Sequence, residues 1–156
     1  MPDVVSPDIL IIGVGNEFRG DDGSGLLVVR GISPVDSQSV QIIELPGEGT
    51  ELMQVWQGRE IVIVVDASQS GAQPGSIVRL DASDTRLPAG FFSYSTHAFG
   101  LAEAVETSRN LNTLPKKLIV FAVEGTAFGQ GAKVTKAVQK SIHSVRHAVL
   151  NEIRGN

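Results

Sequence analysis

ILIIGVGNEFRGDDGSG, Ile9 to Gly25, is the stretch on which the fold turns. Ile9 to Val14 is an apolar run rich in β-branched side chains, the pattern of a strand covered on both faces. Gly13-Val14-Gly15-Asn16 then lets the backbone turn without a Cβ in the way. Two adjacent carboxylates follow, Asp21 and Asp22, and after them the apolar run of Leu26 to Val29. Strand, glycine loop, acidic pair and helix in that order put carboxylates at the carboxyl edge of a sheet. Open α/β sheets keep their ligand sites at that edge.

A dinucleotide-binding fold is the first alternative to weigh, because Gly13-x-Gly15 is half of the G-x-G-x-x-G fingerprint. The third glycine would fall at position 18, where this chain has Phe18. A phenyl ring there obstructs the close approach of helix and pyrophosphate that the glycine permits. Asp21 and Asp22 would also repel a pyrophosphate from the helix start that normally attracts it. The nucleotide reading fails on both counts.

Outward from that segment, strands and helices alternate. Asp22 to Ile32 reads as a helix, Val40 to Leu45 as a strand, and Thr50 to Gln57 as a short helix with Thr50 as its cap candidate. Arg59 to Asp66 contains IVIVV, a second doubly buried strand, and is expected to end at Asp66. Ser68 to Gly75 is turn-rich, and Ser76 to Leu80 reads as a strand added at a sheet edge. Ser95 or Thr96 is the cap candidate for a helix running to about Leu111. Lys117 to Glu124 is another buried strand, and Val134 to Ile153 a long amphipathic helix, apolar at Val138, Ile142, Val145 and Val149. The alternation predicts a three-layer α/β/α sandwich around a largely parallel sheet. At 156 residues, with no repeat or linker, the chain reads as one domain, 1–156.

Composition narrows the function classes. Hydrophobic residues make up 42% of the chain, which favours a globular fold over disorder. A net charge of -4 leaves no electrostatic footprint for nucleic acid. There is no cysteine, so disulfides, thiolate metal sites and a thiol nucleophile are excluded. The start MPDVVSPD lacks both a basic segment and a secretory apolar core, and no apolar run is long enough to span a bilayer. A cytoplasmic protein is therefore expected. With no long exposed apolar repeat, a monomer is the simplest expectation.

Asp22, Asp66 and His97 converge on one edge if their segments are neighbours. Asp22 follows the first strand, Asp66 closes IVIVVD, and His97 sits in STHAFG near the first turn of the next helix. Two carboxylates and an imidazole are a reasonable ligand set for nickel or zinc, with positions left for water or substrate. A helix N-terminus also biases His97 towards the neutral form that a metal needs. Each residue has a plainer reading: Asp21 or Asp22 as a helix cap, Asp66 as a turn former, His97 as a surface residue. Their shared placement is what argues for a site. His143 and His147, spaced i, i+4, form a competing metal pair, but no zincin glutamate lies between them and they read as helix-surface residues. Glu124, beside Gly125, falls near the same rim. It reads as a carboxylate bonded to nearby loop amides or as one that orients a ligand. Gly13 to Gly20 and Ser83 to Phe92 are expected to form the substrate-facing rim. Phe18, Phe91 and Phe92 suit either a protein contact surface or loops folded onto the core, with Phe91 read as core.

Together, Gly13-Val-Gly-Asn16, Asp21-Asp22-Gly23, VVDA from Val64, STHAFGLAEA from Ser95 and VEG from Val123 resemble the nickel-iron hydrogenase maturation endopeptidases. The similarity runs in order from about Ile9 to Val138. The resemblance implies an α/β/α domain that removes a short C-terminal extension from the hydrogenase large-subunit precursor after nickel insertion. It maps the metal-contacting residues onto Asp22, Asp66 and His97, which would also carry the catalysis, with nickel supplied by the precursor. The first of these is glutamate in some members; aspartate is a methylene shorter but keeps the charge. No G-x-S-x-G elbow accompanies His97. Two other functions stay open at this point: a nickel-sensing assembly chaperone without proteolytic activity, and a metallohydrolase acting on a small molecule.

Overall fold

A computed structural model describes residues 9–33, 40–88, 90–92 and 97–155. Five strands, β1 (Ile9–Val14), β2 (Val40–Leu45), β3 (Ile61–Ser68), β4 (Ile77–Asp81) and β5 (Lys117–Glu124), form one sheet in the order β2-β1-β3-β5-β4. Four of them run parallel; β4 joins the edge antiparallel to β5, with Ile77 opposite Val123. The expected three-layer α/β/α sandwich around a largely parallel sheet is therefore the fold, with β4 as its one antiparallel strand.

Helices α1 (Ser24–Arg30) and α4 (Lys136–Arg154) cover one face of the sheet, and α2 (Gly49–Trp56) and α3 (Leu101–Asn110) the other. The alternation of side chains along a strand decides which layer each residue joins. Ile9 and Ile11 of β1 pack with Val28 and Val29 of α1 and with Val145 and Val149 of α4. Leu10 and Ile12 instead meet Leu52 and Trp56 of α2 and Val105 of α3. β1 and β3 are buried along their whole lengths, as expected of strands sandwiched between helices.

Polar ties close the layers where apolar packing stops. The Trp56 indole N–H, fully buried, donates to Ser108 Oγ at 3.0 Å and joins α2 to α3. Arg146 of α4 donates to the carbonyls of Val28 (3.0 Å) and Leu27 (2.9 Å) and so ties α4 to the end of α1. Gly25 lets α1 lie hard against the sheet, since a Cβ there would overlap the carbonyl oxygens of Val65 and Val14.

The strand order creates a switch point. From β1 the chain crosses by α1 to β2 on one flank, then returns by α2 to β3 on the other. The carboxyl ends of β1 and β3 thus face a crevice from which the connections diverge. No helix among the described residues is long and apolar enough to cross a membrane.

Candidate active site

A cleft of about 410 Å³ opens at that crevice, and Asp22, Asp66 and His97 all line it. Val14 at the end of β1, Arg19, Pro46 and Gly47 after β2, residues 86–88 with Gly90 and Phe92, and the start of α3 form the remaining walls.

Asp22 is presented by a 3-10 turn, Gly20–Gly23, that precedes α1. The helix itself begins at Ser24, later than the sequence predicts, and its N-cap is Gly23. Neither aspartate caps it. Asp21 is fully buried and ties the turn to the far end of the chain. Its Oδ2 accepts from the backbone N–H of Thr126 (2.8 Å) and Ala127 (3.1 Å), and its Oδ1 from that of Thr135 (2.8 Å). The Thr135 hydroxyl donates to the same carboxylate and accepts from the Val138 N–H, capping α4. With its neighbour held so firmly, Asp22 is half-buried on the cleft wall.

Asp66 does not end its strand, which continues to Ser68 because the pairing with β5 extends to Ser68 opposite Glu124. Only 5% of Asp66 is exposed, and its Oδ1 accepts from the Ala67 N–H at 2.8 Å. His97 stands four residues before α3, whose N-cap is Gly100, so the helix-terminus argument for its neutral form does not apply. The expected caps Ser95 and Thr96 lie outside the described residues; Glu103 receives the Gly100 N–H at 2.8 Å instead. His97 Nε2 lies 3.1 Å from the Pro46 carbonyl oxygen. A carbonyl only accepts, so this nitrogen carries the proton.

α2 also begins differently from expectation. Glu48, not Thr50, is its cap, accepting from the N–H groups of Thr50 and Glu51 at 3.0 Å each. Those two bonds hold the Glu48 carboxyl below the usual glutamate range, with a smaller contribution from nearby His97.

Glu124 takes the structural one of its two readings. It is buried and accepts from Ser68 Oγ (3.0 Å), Ser70 Oγ (2.7 Å) and the N–H groups of Ser70 and Gly71. It fastens the β3–β4 turn and does not line the cleft. His143 and His147 are exposed on α4, their rings 6.5 Å apart, and they too lie off the cleft. Phe92 is buried and lines the cleft, Phe91 packs edge-on against it with centroids 5.4 Å apart, and Phe18 is 68% exposed.

Two arginines that the sequence reading passed over share the cleft, Arg19 and Arg86. Arg86 sits on the segment after β4, which Arg109 of α3 grips through the carbonyls of Ala82, Ser83 and Thr85. Among the described residues, no three His, Asp or Glu side chains stand close enough to enclose a metal ion as they lie. Two carboxylates and an imidazole nonetheless present hard and borderline donors to one space, which suits a divalent transition metal whose other ligands come from elsewhere.

The α/β/α architecture is shared with solved structures of hydrogenase maturation endopeptidases, a class of peptide hydrolase. The hydrogenase maturating endopeptidase HybD of Escherichia coli superposes with a TM-score of 0.78 at 26% identity, over 95% of this chain and 93% of that one. The hydrogenase 2 maturation protease of Escherichia coli K12 is 29% identical over 150 residues, 94% of this chain and 90% of that protein. The hydrogenase expression/formation protein HupD of Thiocapsa roseopersicina is 28% identical over 120 residues, and the match spans 54% of its length. A sequence model of the hydrogenase maturation proteases matches residues 31–152. This chain belongs to the hydrogenase maturation protease family.

Proposed function

We propose that this protein is an endopeptidase that removes the C-terminal extension of a nickel-iron hydrogenase large-subunit precursor after nickel has been inserted. The observation that carries the reading is the meeting of Asp22, Asp66 and His97, from three separate segments, in one cleft of a maturation-protease fold. The three do not close into a self-sufficient metal site, which suits an ion that arrives already held by the precursor. Nickel is then part of the substrate, and Asp22, Asp66 and His97 are the residues that would contact it. Bound there, it would supply Lewis acidity.

The chain's own residues account for the proton movements. One carboxylate, Asp22 or Asp66, takes a proton from water as the water oxygen bonds to the scissile carbonyl carbon. The tetrahedral intermediate collapses with cleavage of the C–N bond, and the same proton passes to the leaving nitrogen. Asp66, nearly excluded from solvent, keeps its position through the Ala67 amide. His97 is oriented by the Pro46 carbonyl, 3.1 Å from its Nε2.

Incubating the purified protein with nickel-loaded and nickel-free precursor, followed by mass spectrometry, tests this reading. A mass loss confined to the loaded precursor, abolished by Asp22→Ala and by His97→Ala, is expected. Binding without mass loss would make the protein an assembly chaperone. Full cleavage by both variants would sink the site assignment.

A further inference from the structure

The peptidase reading, on which the following rests, leaves one requirement unmet by the acidic residues. When water adds to a carbonyl, negative charge develops on its oxygen, and two carboxylates in the same cleft oppose that charge. Beside the Lewis acidity that bound nickel would supply, donors aimed at such an oxygen are a large share of what hydrolases achieve.

Three cleft-lining side chains can carry positive charge or donate: Arg86, His97 and Arg19. Arg86 is 80% exposed at its side chain and lies 3.4 Å from the Glu106 carboxylate, so its charge is both screened and answered. His97 Nε2 is committed to the Pro46 carbonyl. Arg19 differs from both. It is half-buried, its Nε donates to the Phe128 carbonyl at 3.1 Å, and among the described residues its guanidinium has no carboxylate partner.

Its backbone is also held in place. The Arg19 N–H donates to the Asn16 carbonyl at 3.2 Å, and the Arg19 carbonyl accepts from the Asp22 N–H at 3.2 Å. Next to it, the Phe18 carbonyl accepts from the Gly131 N–H at 2.8 Å. The same turn therefore presents Asp22 and Arg19. With Nε anchored outside the cleft, the two terminal nitrogens remain, a planar pair of donors that can approach one oxygen in a fixed orientation.

We propose that Arg19 is a catalytic residue that donates to the scissile carbonyl oxygen and stabilises the charge it gains as water adds. Its contribution is made in the transition state, so its loss falls on kcat and leaves KM little changed. Replacing it should cost about 100-fold or more, the scale for removing one donor of this kind.

The test compares wild-type protein with Arg19→Met and Arg19→Ala, using nickel-loaded precursor and steady-state kinetics, with thermal midpoints recorded for each. Expected are a fall in kcat of about 100-fold, a KM near wild type, and partial recovery of Arg19→Ala by millimolar guanidinium chloride. A packing role would not give that recovery. A raised KM with kcat intact would mean that Arg19 binds an acidic group of the substrate, and would overturn the proposal. So would undiminished turnover by Arg19→Met, or a loss that tracks a lowered thermal midpoint and resists guanidinium. Wild-type protein that leaves the loaded precursor intact would sink the peptidase reading and this assignment with it, whereas wild-type cleavage with an active Arg19→Met sinks the assignment alone.

Discussion

Asp21 and Asp22 are adjacent in the chain and opposite in role. Asp21 is sealed inside, its carboxylate bonded to Thr126, Ala127 and Thr135, while Asp22 faces the cleft. The sequence makes the pair conspicuous but does not say which member turns inward, because the partners of Asp21 lie 105 to 114 positions further along. Beside the site reading of Asp22, short-range reading offers the pair only a helix cap, a role that neither aspartate has. The buried network makes a definite prediction. Asp21→Asn swaps one acceptor oxygen for an amide that points donors at backbone donors, and each buried N–H left without a partner costs about 1–3 kcal/mol. Asp21→Asn should thus lower unfolding free energy by roughly 3 kcal/mol in urea titration. Peptide cleavage should fall too, because the turn carrying Asp22 and Arg19 loses its anchor. Native stability in this variant would show that the tie contributes nothing to the fold.

At the scale of elements, the strands were legible because a doubly buried strand announces itself as a continuous apolar run, as IVIVV does. Helix starts were not, because two of the three residues that cap α1, α2 and α3 are glycines and the third is a glutamate. The start of α2 shows why a glycine stands near such a position. The Gly49 N–H donates to the Phe99 carbonyl at 2.8 Å, and a Cβ on Gly49 would run into the Phe99 ring and lie 2.9 Å from that carbonyl oxygen. Phe99 is two residues from His97, and Pro46 and Glu48 flank the same junction. The N-terminus of α2 and the 97–100 segment thus form one unit that sets the histidine. Gly49→Ala should force them apart, at about 1–3 kcal/mol of stability, the range for overpacking. Because the displaced segment carries His97, cleavage at a temperature where the variant is still folded should be slower than wild type. A wild-type rate would mean that His97 is positioned independently of this junction.

Across the whole molecule, the α/β/α architecture was visible in the alternation of elements, but the order of the strands was not. Nothing local says that β5 lies between β3 and β4, and that insertion decides what Glu124 does. Placed opposite Ser68 in the sheet, it meets the β3–β4 turn and not the cleft. Glu152 plays the corresponding part for α4, bonding Arg79 of β4 at 2.6 Å and Lys117 of β5 at 2.9 Å. Both carboxyls sit below the ordinary glutamate value of 4.5. For Glu124, burial pushes upward and is outweighed by the bonds from Ser70, Ser68 and Gly71. For Glu152, the Arg79 bond leads, against burial, and Lys117 adds to it. A carboxyl depressed in the folded state releases its proton more readily there than in the unfolded chain. Its contribution is therefore full above the unfolded value and is lost as pH falls through the folded one. Glu44, paired with Arg30 at the solvent-open rim, adds little of this kind because water screens it. Urea midpoints measured from about pH 7 down to about pH 3 should show Glu124→Gln and Glu152→Gln less stable than wild type near neutrality. Each gap should narrow as the pH drops below about 4.5, where the glutamate carboxyl takes up a proton in the unfolded chain before it does in the folded one. A gap that stays constant to the acid end would mean that these glutamates stabilise the fold by packing and neutral hydrogen bonding, with no part played by their charge.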